Sequence, residues 1–208
     1  MNIGLNKVIR FLISSDFLLQ SGWGLIGPIF AIFLTQQIKG GNLTTVGFVA
    51  AFYWLTKSIL QPFIAYSFDL KKGEKDDFKF LVIGLFVANL VPLGYIFSTQ
   101  IWHIFLLEFF RGIAMAFVVP AWQAIFTRHI NKDWEAFSWS IESTAIGLAA
   151  GFFAAFGGIL TSLLGFRAIF ILVSLLGTSS SLILLLIRNE IFPREFFIPK
   201  NDSETDEK

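Results

Sequence analysis

IWHIFLLEFFRGIAMAFVVPAWQAIFT, residues 101–127, is a long apolar stretch that carries Glu108 and Arg111 inside it. At a rise of about 1.5 Å per residue, a helix of this length exceeds the roughly 30 Å of a bilayer's hydrocarbon. It does not alternate polar and apolar residues as a barrel strand does. A helix satisfies its own backbone polar groups in lipid, so a helix is the reading. Stretches of the same character lie at about 9–35, 43–67, 79–98, 136–161 and 166–187. The first follows Lys7 and Arg10 as a signal peptide would, but it is too long for one and contains Asp16, so it reads as a retained span. The sequence thus predicts an all-α membrane protein whose six transmembrane helices fill residues 1–188. Residues 189–208 form a polar tail. Pro193 and Pro199 bar the last helix from continuing, and NDSETDEK is too polar to fold, so the tail is expected to be cytoplasmic and disordered.

Composition agrees. Of 208 residues, 55% are apolar and 15% charged, twenty-six are Phe, and the mean hydropathy is +0.69. Soluble domains run nearer about 25% charged. An ordinary soluble enzyme, a disordered chain and a basic nucleic-acid binder are all excluded. With no cysteine there is no disulfide framework or thiol nucleophile. The links fall into two kinds. Residues 36–42, 98–100 and 162–165 are nearly free of charge, whereas 68–79, 128–135 and the tail are charged. Of the sixteen Lys and Arg, twelve fall on the charged side, Lys39 and Arg167 on the other, and Lys57 and Arg111 inside spans. The positive-inside rule places both termini in the cytoplasm, and an even number of spans requires the same-side termini that this census shows. The expected location is a bacterial-type plasma membrane.

A charge at the bilayer centre costs at least about 2.5–3.5 kcal/mol on insertion scales. Asp16, Lys57, Glu108, Arg111 and Glu142 carry that cost, in the first, second, fourth, fourth and fifth spans. Apart from Lys79 and Arg167 at their ends, the third and sixth spans hold nothing more polar than Asn89 and hydroxyls, which makes them supports or lipid-facing helices. Three readings stay open for the five: a packing network, a substrate or proton path, or, for Asp16 and Glu142, snorkelling to the interface. Gly27 and Pro28 in the first span, and Gly112 and Pro120 in the fourth, are candidate helix breaks near a cavity. They sit at corresponding places if the chain is two three-helix repeats. Gly147, Gly151, Gly157 and Gly158 give the fifth span a smooth face on which another helix can pack. Trp23, Tyr53, Trp54 and Trp122 are either cavity rings that stack on cargo or ordinary core and interface aromatics.

Over about residues 8–188 the chain resembles the amino-terminal six-helix half of a major facilitator superfamily transporter. The resemblance rests on GIAMAFVVPAWQAIF (112–126), GLAAGFFAAFGGIL (147–160) and GFRAIF (165–170). Asp69 and Gly73 stand roughly where the family has its loop motif, although Ala65 replaces that motif's first glycine. Glu108, not an arginine, occupies the position four residues before Gly112. The resemblance implies a half bundle that must pair with a second copy or another six-helix chain before it can alternate access to a central site.

The expected function is secondary-active-type transport of a small solute, by proton-coupled export, through a cavity lined by the first, second, fourth and fifth spans. Three buried acids against two bases lean the cargo toward cations or protons. The alternative is a non-transporting six-helix scaffold or regulator of a full-length carrier. No enzyme activity, cofactor or metal is expected: the chain lacks Gly-x-Ser-x-Gly and His-Glu-x-x-His, and His103 and His129 lie at opposite ends of one span.

Overall fold

Asn6 opens the bundle. Its side-chain oxygen accepts the backbone N–H of Ile9 at 2.9 Å and caps α1 (Lys7–Ile26). The structure, a computed structural model, describes residues 5–71 and 73–192. α1 ends at Gly27 and Pro28, and Pro28 has no N–H to carry the helix on. The chain resumes as α2 (Phe30–Gln37), bent 42° from α1. Then come α3 (Leu43–Lys71), α4 (Glu74–Tyr95), α5 (Ile101–His129) and α6 (Glu135–Leu184). A 3-10 turn, Leu185–Ile187, and the one-turn α7 (Arg188–Ile191) finish the described chain, so helix continues past the expected end at 187. The tail from Pro193 lies outside the described residues.

Two links that read as loops are mostly helix. Across 68–79, α3 runs on to Lys71 and α4 starts at Glu74. Glu74, Asp76 and Asp77 stand in the first turn of α4, where acids complement the positive end of the helix dipole. Arg128 and His129 stand in the last turn of α5, at the negative end. The two ends meet: Arg128 donates to the buried Asp77 at 2.5 Å, and His129 lies 2.7 Å from Glu74. At residues 162–165 the helical geometry fails only at Gly165, with φ 77° and ψ 164°. Glycine adopts that backbone without the penalty of a Cβ.

The chain reverses at Gly165. The first arm of α6, 135–164, runs parallel to α1: Asp16 shares a chamber with Glu142, and Gly24 lies against Ala150. The second arm, 166–184, runs antiparallel to it. Gly22 lies against Val173, the Ser15 hydroxyl donates to the Ser180 carbonyl at 2.9 Å, and Lys7 pairs with Glu190 at 3.0 Å. α1 therefore sits in the fork of a helical hairpin. α5 runs antiparallel to α4, with Gly94 against Leu107 and Asp77 against Arg128, and parallel to α3, with Phe52 against Phe105 and Phe68 against Phe117.

Two apolar clusters stack along the bundle. One, around Leu12, Leu81, Ile125, Phe126 and Leu184, lies at the end where α1 begins. The other, around Leu25, Leu34, Ile104, Ile169 and Phe170, lies toward the opposite end. The outside is apolar as well: Phe63 is 73% exposed, Ile83 61% and Leu175 59%. Water does not tolerate so large an apolar surface, and a bilayer does. Among the described residues four helices are long and apolar enough to cross a membrane, and the bent α1–α2 pair makes a fifth if it is one span. The protein is an integral membrane protein.

The four glycines of α6 do not share one packing face. Gly157 is buried directly under the backbone of Leu25, where a Cβ would overlap. The Cβ positions of Gly147, Gly151 and Gly158 meet nothing within 4 Å. Gly157→Val is therefore expected to destabilise the bundle by about 1–3 kcal/mol, as overpacking does. Gly158→Val should leave stability within about 0.5 kcal/mol, as a surface change does. Thermal unfolding of the two variants in detergent checks the contrast.

Candidate functional site

The site grows from one buried acid. Glu108 on α5 is 1% exposed, and Arg111 follows one turn later on the same helical face. Arg111 donates to Glu108 Oε2 from Nε at 2.9 Å and from Nη2 at 2.5 Å. The hydroxyl of Tyr95, at the end of α4, donates to the other carboxylate oxygen, Oε1. The guanidinium lies between two rings, 4.2 Å from the Trp23 centroid on α1 and 3.6 Å from that of Tyr53 on α3. Trp23 Nε1 donates to Asn89 Oδ1 on α4 at 3.3 Å. The Asn89 amide in turn donates to the carbonyls of Leu85 at 2.8 Å and Gly177 at 3.0 Å. One polar network thus ties α1, α3, α4, α5 and the second arm of α6 together near mid-bundle.

Beside it opens a cavity of about 470 Å³. α1 contributes Leu19, Gln20 and Trp23; α2 contributes Phe30; α3 contributes Val49, Ala50, Tyr53, Trp54 and Lys57; α5 contributes Glu108, Arg111, Met115 and Val119. Lys57 Nζ stands 4.2 Å over the Trp54 ring and has no carboxylate within ion-pair distance among the described residues. Toward the end where α1 begins, a chamber of about 220 Å³ shares Leu19, Gln20, Met115 and Val119 with the cavity. Asp16, Trp122, Gln123, Trp139 and Glu142 also line this chamber, and no Lys or Arg does. Asp16 and Glu142 have no ion-pair partner among the described residues.

The structure thus brings the five intramembrane charges to two joined spaces, three on the larger and two on the smaller. Other expectations fare differently. Gly27 and Pro28 do break the helix, just before Phe30 on the cavity wall. No break occurs at Gly112 or Pro120, because α5 is continuous from Ile101 to His129. Pro120 is buried and forfeits one backbone bond, while flanking helices hold the turn in place. Gly112 serves close approach instead: a Cβ there would meet Thr56 of α3 at 3.0 Å. The breaks therefore do not match between the two halves of the chain. Asp69 is exposed at the end of α3 and Gly73 precedes α4, both away from the cavity. Trp122 stacks on Phe126 at 4.6 Å.

Reading the residues missed Tyr95, Asn89 and Gln20. Tyr95 lies at the end of an apolar run, where a phenol reads as an interface anchor. Its meeting with Glu108 depends on how two antiparallel helices register. The lone Asn89 in an otherwise apolar span was the available signal.

The model of the family described as Major Facilitator Superfamily matches residues 12–206, which include every residue of both chambers. No curated protein matches the chain.

Glu108→Ala would strand Arg111 beside two rings with no anion. Breaking one side of such a pair costs about 3–5 kcal/mol. The double variant Glu108→Leu/Arg111→Met removes both charges and should recover most of the loss. Thermal unfolding of the purified variants checks the order wild type, double variant, Glu108→Ala.

Proposed function

The chain belongs to the Major Facilitator Superfamily, a family of membrane transporters, and we propose that it moves a small solute through the two joined chambers between α1, α3, α5 and the first arm of α6. In this reading the bent α1–α2 pair, α3, α4, α5 and the two arms of α6 are six crossings arranged as two three-helix repeats. The excess of Lys and Arg at the end where α1 begins favours a cytoplasmic location for that end and for both termini, in a bacterial-type plasma membrane. The chain's work is transport, not covalent chemistry. A non-transporting role gains no support from the site, because a scaffold has no use for five charges gathered on one internal path.

That gathering is the observation that carries the proposal. Charges in a membrane bundle cost free energy and mark substrate or ion pathways. Asp16 and Glu142, on one chamber and without an ion-pair partner among the described residues, are the candidates for carrying the coupling proton in export. A second observation bears on the partner. α3 exposes Gly47, Ala51 and Ser58 on one side of the chambers, and α6 exposes Gly147, Gly151 and Gly158 on another. Small residues let a second bundle approach closely. The other six-helix unit comes from a second copy, another chain or a further stretch of a longer polypeptide, and closes the path so that the two units rock about it.

In proteoliposomes with an acid interior, a mixed panel of radiolabelled amino acids, monocarboxylates, sugars and amines tests this. The wild type should move at least one solute faster than empty vesicles do. Asp16→Asn and Arg111→Ala should each cut that flux about tenfold or more, as loss of a positioned charged group does. Unchanged flux in both variants would sink the proposed path. Because the chain has no cysteine, Gly151→Cys reports pairing directly. A disulfide-linked dimer on oxidation is expected if the partner is a second copy.

A further inference from the structure

The separation of charge along the path says more than the total. Counted over the five intramembrane charges alone, three acids against two bases point to a cationic cargo. The structure divides that count. The larger cavity holds Lys57, Arg111 and Glu108, a net positive charge, while the smaller chamber holds Asp16 and Glu142, both negative. In the larger cavity Glu108 is committed: one oxygen takes Arg111 and the other takes Tyr95. No carboxylate is left there to receive a cation.

Three of the four rings that line the cavity, all but Phe30, already carry a cation. Aromatic faces are the usual alternative receptor for a cation. Here Arg111 already covers the faces of Trp23 and Tyr53, and Lys57 lies over Trp54. An incoming cation would meet two like charges. Lys57, by contrast, is an ammonium with three donors and no carboxylate to receive them among the described residues. The same cavity is lined by Phe30, Val49, Ala50, Met115 and Val119, an apolar wall.

We infer that the larger cavity takes an amphipathic organic monoanion, its carboxylate or equivalent group paired with Lys57 and its apolar or planar body against the aromatic and aliphatic wall. This rests on reading the cavity as the cargo site. One cation with no carboxylate partner among the described residues matches one negative charge, and a charge-assisted bond is stronger than a neutral one. A volume of about 470 Å³ falls in the range that holds small organic ligands. The acidic chamber beyond Gln20 then serves protons and not the cargo, so the coupling proton and the cargo occupy separate rooms.

The test uses the full chain in lipid nanodiscs and three radiolabelled probes of one shape: benzoate, benzyl alcohol and benzylammonium. Saturable binding is expected for benzoate, about tenfold or more tighter than for benzyl alcohol, as a charge-assisted bond implies. Benzylammonium should bind weakest. Lys57→Gln should erase the preference for benzoate, and Lys57→Arg should restore it, which separates loss of charge from loss of fold. If benzylammonium binds more tightly than benzoate, or Lys57→Gln keeps the benzoate preference, the anion assignment is overturned while the cargo site stands. If none of the three binds saturably, and the transport panel also shows no flux, both readings fall together.

Discussion

The structure depends on how a carboxylate is kept inside hydrocarbon. Glu108 lies at 1% exposure among apolar helices, and both its oxygens are occupied. Arg111, which occupies one of them, is itself held by the rings of Trp23 and Tyr53. Trp23 is fixed by Asn89, and Asn89 by carbonyls on two helices. Remove the acid and each of these groups loses its reason to be where it is. A polar layer of this kind fixes helix register more firmly than apolar contact does, since a shift of one residue would leave charges unpaired in a medium that cannot solvate them. It is continuous with the two apolar clusters, since Tyr95 belongs to one of them and Trp23 packs against both.

A second constraint comes from size. α1 fits the fork of the α6 hairpin because glycines let backbones nearly touch, at Gly22 against Val173 and at Gly157 against Leu25. Between helices in lipid there is no hydrophobic drive, so close packing and hydrogen bonds do the holding. The fork aligns Asp16 with Glu142 on one chamber, while α3 brings Lys57 to the other. The helices that build the chambers are thus positioned by close contacts elsewhere, and the chamber walls stay free to face a solute or a partner.

Much of this was legible in the sequence, and the failures follow a pattern. Apolar length and the Lys/Arg census marked the helices and their grouping, because hydrocarbon thickness and backbone satisfaction leave few options. Expense in lipid singled out the five charges, and the structure gathers them on joined chambers. The misreadings came from treating a residue type as a local signal. The charged run 68–79 caps two helices instead of forming a long loop, because Asp77 and Glu74 find Arg128 and His129 across the bundle. Pro120 and Gly112 read as breaks, yet α5 is continuous, because neighbouring helices hold its turns. The four glycines of α6 read as one face and are split between a buried contact and an open surface.

By itself the sequence determined the class of the protein, an all-helical membrane chain with its costly charges on particular helices. Those properties depend on length and transfer free energy, which add up residue by residue. Only the tertiary structure decided which charge answers which. That Glu108 is spent on Arg111 and Tyr95, that Trp23 and Tyr53 already hold a guanidinium, and that Lys57 has no carboxylate beside it among the described residues are facts of distance between helices far apart in the chain. Coulomb interaction at contact range depends on those distances and not on a count. A chain that counts as acidic inside therefore presents a positive cavity.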